Sequence, residues 1–91
     1  GPDNNITREQ MAAILYRYCR YKQYDVSVGE DTNILSYNDA FEVSEYAIAA
    51  MQWACGAGLI EGDGAYLRPS GNAIRCQVAA ILMRFCETVV K

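Results

Sequence analysis

Apolar residues return at i, i+3, i+4 and i+7 in two places: Met11, Ile14, Leu15 and Tyr18, then Val78, Ile81, Leu82 and Phe85. Each set lines one face of a 3.6-residue helix. Between them, Ala47, Ile48, Ala50, Met51, Ala54 and Cys55 fill one broad side of a third helical stretch, and Tyr46, Ala50, Trp53 and Ala57 another. A helix apolar nearly all round is a central, buried one. Local signals set the ends. Thr7, followed three residues later by Gln10, fits a capping box in which hydroxyl and amide each satisfy an orphan backbone N–H. Ser44 is the expected N-cap of a second helix over 44–57, with Glu45 in its first turn. Gly56 and Gly58 are its expected stop, through a left-handed residue. The third helix has Ile74 where the first has Thr7, so it lacks the capping hydroxyl, and Asn72 is the expected substitute.

The first and third helices are copies. Residues 2–20 laid over 69–87 are identical at Pro2/Pro69, Asn5/Asn72, Arg8/Arg75, Gln10/Gln77, Ala12/Ala79, Ala13/Ala80, Ile14/Ile81, Leu15/Leu82, Arg17/Arg84 and Cys19/Cys86. Self-similarity at a fixed offset is the signature of a repeat architecture. The intervening segments are too apolar for floppy linkers. Val26, Val28, Ile34 and Leu35 anchor the connector after the first helix, with Gly29 and Asp31 to Asn33 as turn material. Leu59 to Gly64 reads as a tight turn, and Ala65 to Pro69 as an extended piece, because the residue before proline avoids the helical region. A two-residue strand pair between Leu59-Ile60 and Tyr66-Leu67 is expected. Arg8, Arg17 and Arg20 lie off the apolar face of their helix, toward water or a ligand.

Ninety-one residues bound the chain to one domain or part of a repeat array. With a net charge of −3 and no lysine-rich run, it lacks the basic face a phosphate-backbone binder needs, so nucleic acid is excluded as a partner. No apolar run reaches the roughly 20 residues of a membrane span. The absence of histidine removes the commonest general base and metal ligand. The four cysteines, Cys19, Cys55, Cys76 and Cys86, include no C-x-x-C pair, which argues against a zinc site. They read as small apolar residues on helix faces. Should the second and third helices form an antiparallel hairpin, Cys55 and Cys76 are the candidate disulfide pair. Carboxylates occur as neighbours (Glu30 and Asp31, Glu42 and Glu45), but nothing in the pattern places them around a cleft, and no nucleophile motif accompanies them.

The order Tyr37-x-Asp39, Tyr46-Ala47-x-x-Ala50-Met51-x-Trp53-Ala54, Gly58-Leu59-Ile60-x-Gly62, Leu67-x-Pro69 and Arg75-x-x-x-Ala79-x-x-Leu82-x-Arg84 resembles an S-layer homology (SLH) repeat. Ile6-Thr7-Arg8-Glu9-Gln10 resembles the I-T-R-A-E signature that closes a preceding repeat. The resemblance implies an all-α fold of SLH-like helical repeats, with three main helices, ordered connecting loops and at most a very short strand pair. It divides the chain into the last helix of one repeat (2–22), a connector (23–36), a complete repeat (37–87) and a tail (88–91). It further implies a non-catalytic module, without cofactor or metal, on the bacterial cell surface. Such a module holds a larger exported protein to secondary cell-wall polysaccharide that often carries acidic, pyruvylated sugars.

Carried over residue by residue, the resemblance points to Arg8 with Thr7 and Glu9 beside it, and to Arg75 in the second copy. An arginine at a helix N-terminus joins a bidentate donor to free first-turn N–H groups, which suits a sugar carboxylate. Tyr46 or Trp53 would stack on a sugar face, Asp39 would accept from sugar hydroxyls, and Gly62 belongs to the adjoining turn. Each has a plainer role open to it. The arginines read equally as surface residues, Trp53 as core, Asp39 as a cap for the second helix or a loop tie, and Gly62 as a turn former. The second signature has Ile74, Cys76 and Gln77 where the family has Thr, Ala and Glu, and Glu45-Tyr46 replaces Trp-Tyr. Because one and a third repeats do not build the family's three-pronged bundle, further repeats in a parent chain or self-association are expected. An SLH-fold interaction or oligomerisation domain without glycan binding is the alternative.

Overall fold

A computed structural model describes residues 6–61, 64 and 66–90. Its elements run β1 (Ile6–Thr7), α1 (Arg8–Tyr21), α2 (Ile48–Gly56), β2 (Asn72–Ala73) and α3 (Arg75–Phe85). Short 3₁₀ turns occupy Ser27–Asp31, Ala40–Glu42 and Glu45–Ala47, and one wide turn, Cys86–Val90, follows α3. The fold is all-α, as the periodicity predicts.

The cap at the start of α1 forms as expected. Gln10 N–H donates to Thr7 Oγ1 at 3.1 Å, and Thr7 N–H to Gln10 Oε1 at 2.9 Å. The end of α2 also follows its sequence. Gly58 has φ +77°, its N–H donates to Cys55 O at 3.1 Å, and Leu59 N–H returns to Ala54 O at 2.9 Å. That is the paired closure of a helix ending on a left-handed residue. The start of α2 differs. A 3₁₀ turn precedes it, and Ser44 caps it with no side-chain hydrogen bond because its hydroxyl is turned toward α1.

The strand pair is real but elsewhere. Ile6 pairs with Ala73 and Thr7 with Asn72, antiparallel, so the entries of the two copied helices are joined to each other. Arg8 N–H then donates to Gly71 O at 3.1 Å, and Glu9 N–H to Pro69 O at 3.0 Å.

The core gathers on α2. Ala50, Met51, Trp53 and Ala54 are buried, together with Leu59, Ile60 and Leu67 from the segment after it. Ile48 and Ala49 are exposed, so α2 is buried on one side rather than all round. The Trp53 ring meets Tyr16 at 5.7 Å and Phe85 edge-on at 6.3 Å, contacts each worth about 0.5–1.5 kcal/mol beyond burial. The Ser27–Asp31 turn lies directly on α2, and a Cβ at Gly29 would stand 3.0 Å from the Trp53 backbone. Of the connector anchors, Ile34 is buried and Val26 half-buried, whereas Val28 and Leu35 are exposed.

The two copied helices bury different faces. In α1, Met11, Ala12, Leu15 and Cys19 are buried while Ile14 is 56% exposed; in α3, Ile14's counterpart Ile81 is 6% exposed, as is Phe85. Leu15 is 8% exposed and its counterpart Leu82 43%. The expected face is therefore half right in α1 and right for all but one residue in α3, where Val78 is half-buried against the core. Ile14 and Tyr18 leave the core in α1, and Leu82 leaves it in α3.

Candidate functional site

The β1–β2 pairing swings Arg8 across the start of α3. Its Nη2 donates to Gln77 Oε1 at 3.2 Å and its Nη1 to the Arg68 carbonyl at 3.5 Å. Gly71 leaves room for this path, since a Cβ there would lie 2.6 Å from Arg8 Nη1. Arg84, near the C-terminal end of α3, donates Nη1 to Leu59 O at 3.3 Å. Between the two guanidinium groups runs a cleft of about 190 Å³, floored by Ala80 and Ile81 and walled by Leu59, Ile60 and Glu61. A guanidinium carries five N–H donors, so both arginines keep donors for a ligand. Among the described residues that line it, two cations stand against the one carboxylate of Glu61, on a chain of net charge −3.

The other residues singled out from sequence do not converge on it. Thr7 serves the α1 cap and the strand pair. Glu9 is buried at 5% exposure and clamps Ser44, accepting from its N–H at 3.0 Å and its hydroxyl at 2.8 Å. Asp39, also buried, accepts from Leu67 N–H at 2.7 Å and Arg68 N–H at 2.8 Å. Burial pushes its carboxyl up, but those two donors and the Arg68 charge outweigh it and hold the group below the usual carboxylate range. Trp53 is enclosed in the core, so its ring faces are unavailable for stacking on a sugar. Tyr46 is exposed in a separate groove. Arg75 is exposed at the start of α3 and does not line the cleft. Gly62 lies outside the described residues. Cys55 and Cys76 are free thiols rather than a disulfide, the first half-buried and the second exposed.

The idea of an arginine beside open first-turn N–H groups also changes. In α1 those donors are taken by Gly71 O, Pro69 O and Thr7 Oγ1, so the side chains of Arg8 and Arg84 carry the positive character of the cleft. Arg84 and the Leu59–Glu61 wall were missed as site members. The signal was present in the repeat. The groove holding Tyr46, about 280 Å³, is lined by Gln10, Ala13, Ile14 and Arg17 of α1, the counterparts of Gln77, Ala80, Ile81 and Arg84 in the cleft. One helix face thus recurs as a groove wall in both copies. Among the described residues, no group of three or more His, Cys, Asp or Glu is placed to hold a metal ion. No helix there is long and apolar enough to cross a membrane.

The chain thus joins two copies of one helical entry to each other, with a cleft lined by Arg8 and Arg84 at the junction. The chain matches the S-layer homology domain family model over residues 36–79. Over 84 residues it is 39% identical to an endoglucanase of Bacillus sp. (strain KSM-635), covering 90% of this chain and 9% of the relative. It is 31% identical over 87 residues to exoglucanase XynX of Acetivibrio thermocellus, covering 94% of the chain and 8% of the relative. It is 30% identical over 87 residues to an amylopullulanase of Thermoanaerobacterium thermosulfurigenes, covering 94% and 5%. The chain thus spans less than a tenth of the length of these curated relatives. No solved structure matches it at a comparable level.

Proposed function

We propose that the chain is a non-catalytic cell-surface anchoring module, holding a larger exported protein on a bacterial wall by non-covalent binding of secondary cell-wall polysaccharide. The observation that carries this reading is the pairing of Arg8 and Arg84 across one cleft between successive units. Guanidinium groups recognise carboxylates through paired, charge-assisted hydrogen bonds, and a pyruvylated sugar offers such a carboxylate on a rigid ring. The relatives' names, endoglucanase, exoglucanase and amylopullulanase, support a parent that acts on glycans, with its catalytic part outside this chain. The exposed faces of α1 (Ile14, Tyr18) and α3 (Leu82) support further repeats as neighbours within residue boundaries close to 2–22, 23–36 and 37–87.

The test is co-sedimentation of the chain with peptidoglycan sacculi before and after chemical removal of the secondary polysaccharide. Pelleting that vanishes with the polysaccharide, and falls at least tenfold in Arg8→Ala and Arg84→Ala, is the expected result. A second reading, an interaction module of the same fold without glycan binding, draws on the framework roles of Glu9, Asp39 and Trp53. Pelleting that persists on stripped sacculi, or survives both arginine substitutions, favours that reading.

A further inference from the structure

One face of α3 is open to solvent. Cys76, Ala79, Met83 and Cys86 recur at i, i+3, i+7 and i+10, and all four are exposed, Met83 at 60%. That is the spacing of the seam along which two helices pack. Cys86 extends the stripe because its backbone is still helical where α3 ends. The repeat shows what such a stripe does. Its counterparts in α1 are Glu9, Ala12, Tyr16 and Cys19. Three of these are buried, and Tyr16 lies half-buried against the Trp53 ring. A stripe that docks in one copy is therefore presented bare in the other. A following unit would find no clamp here, since Cys76 stands in place of the Glu9 carboxylate that grips Ser44.

The charges at the helix ends point to a different partner. α1 carries Glu9 in its first turn and Arg20 in its last, the signs that suit its dipole. On the exposed side of α3 the signs are reversed, with Arg75 at the N-terminus and Glu87 in the wide turn that follows. Arg84, the cation of its last turn, is turned to Leu59. Arg75 and Glu87 are each misplaced for a lone helix. Beside an antiparallel helix of the same sequence, each meets the opposite dipole end and the opposite charge. The stripe is also complementary to itself when reversed about Ile81: Cys76 comes level with Cys86 of the other copy, and Ala79 with Met83, small against large. We propose that this stripe is a self-association face, on which a second copy of the chain packs α3 against α3, antiparallel and related by a two-fold axis. Four side chains a copy bury well below the roughly 1,200 Å² of stable interfaces, so the pairing is transient and concentration-dependent. Neither Arg75 nor the stripe lines the Arg8–Arg84 cleft, so pairing does not depend on what the cleft binds.

Thiol cross-linking of the whole chain is the test. Helix axes about 8–10 Å apart bring facing Cα atoms close to the span of a disulfide, about 4.4–6.8 Å. Each bridge forms as two thiols give two electrons and two protons to oxidised glutathione, which leaves as two reduced molecules. Cys76→Ala and Cys86→Ala chains are oxidised separately and as an equimolar mixture at the same total concentration. Dimers are read on non-reducing gels, and the bridge is located by peptide mass spectrometry. Antiparallel pairing holds two Cys76, or two Cys86, about 15 Å apart along the axis, out of disulfide reach. Either variant alone should therefore dimerise slowly. The mixture should dimerise about fivefold faster or more, through Cys76 of one chain and Cys86 of the other. Adding Arg75→Glu to the Cys86→Ala chain sets like charges level with each other and should slow the mixture about threefold at low salt. Its melting temperature should equal or exceed that of the Cys86→Ala chain, because an acid suits the helix start. Equal rates in the mixture and in either variant alone, as chance collision or parallel packing gives, would overturn the proposal. Absence of dimer from the mixture would overturn it too, and leave the stripe to a following unit.

Discussion

Glu9 is the most consequential acid in the chain. Replacing it with alanine removes the acceptor of two donors of Ser44, the backbone N–H at 3.0 Å and the hydroxyl at 2.8 Å. A hydrogen bond to a charged group contributes about 1.5–3 kcal/mol, and an orphaned buried donor costs a further desolvation penalty. Ser44 is half-buried, so water recovers part of the loss, and the net destabilisation expected for Glu9→Ala is about 2–4 kcal/mol. In a domain of 91 residues, each kcal/mol moves the melting temperature by about 4–8 °C, so a drop of about 8–32 °C is expected. Urea unfolding followed by far-UV circular dichroism gives the free energy directly. Glu9→Gln, which keeps one acceptor, should cost about half as much. A double-mutant cycle with Ser44→Ala should return a coupling of about 1 kcal/mol or more. The same substitutions separate framework from site: a folded Glu9→Gln should still pellet with sacculi, because Glu9 faces Ser44 and not the cleft. An unfolding free energy for Glu9→Ala within 0.5 kcal/mol of the wild type would refute the clamp.

Asp39 gives a prediction with a pH sign. Its folded pKa is depressed, so its contribution is present above the unfolded carboxylate pKa, near 3.9, and is lost as pH falls through the folded value. Asp39→Asn should cost about 1–2 kcal/mol at pH 7 and flatten the fall in stability below about pH 4, as read by urea midpoints across the range. The thiols should divide two and two. Cys76 and Cys86 are exposed, whereas Cys19 is enclosed and burial pushes the Cys55 thiol up to about 11. Titration with an aromatic disulfide reagent at pH 8 should therefore label the first pair in the native state and the second only after denaturation. The copied helices make an internal control: Leu15→Ala should cost about 2–4 kcal/mol as a buried truncation, while Leu82→Ala should cost under about 1 kcal/mol. Equal costs by urea unfolding would contradict the difference in burial.

The helices and their punctuation were legible because they depend on neighbours in sequence. The Thr7–Gln10 box spans three residues, and the reversal after α2 needs only the permissive backbone of Gly58. The roles of Glu9 and Ser44, and the partners of Asp39, were not legible, because each is fixed by a residue 28 or more positions away. A charged residue is expected at the surface unless it is paired, and nothing local to Asp39 announces the Leu67 and Arg68 N–H groups. Trp53 illustrates the opposite case. An aromatic in a glycan-binding family invites a stacking role, yet its neighbours on α2 are apolar on the same side, and packing claims the ring first. Half of the cleft could be read from the arginine of the signature. The other half, Arg84 and the Leu59–Glu61 wall, required knowing that the two helix starts pair with each other.

The faces of α1 and α3 were misread for a reason that explains the repeat itself. One repeated pattern is apolar on two sides, and each copy meets the core through a different one. Where α1 contacts the complete unit, Met11 and Leu15 turn inward and Glu9 grips Ser44 at the entry of α2. Where α3 contacts its own unit, Ile81 and Phe85 turn inward beside Trp53. The two helices therefore display, within one chain, the two contacts that a single signature helix makes when units lie on both sides of it. A periodicity count averages those contacts into one broad stripe and cannot divide them. The proposed binding cleft lies at the same junction, because Arg8 of the first copy bonds Gln77 of the second, and shares a cleft with Arg84, where the two helix starts pair. Cys76 stands where the clamp would repeat, so α3 lacks the carboxylate with which α1 holds its neighbour.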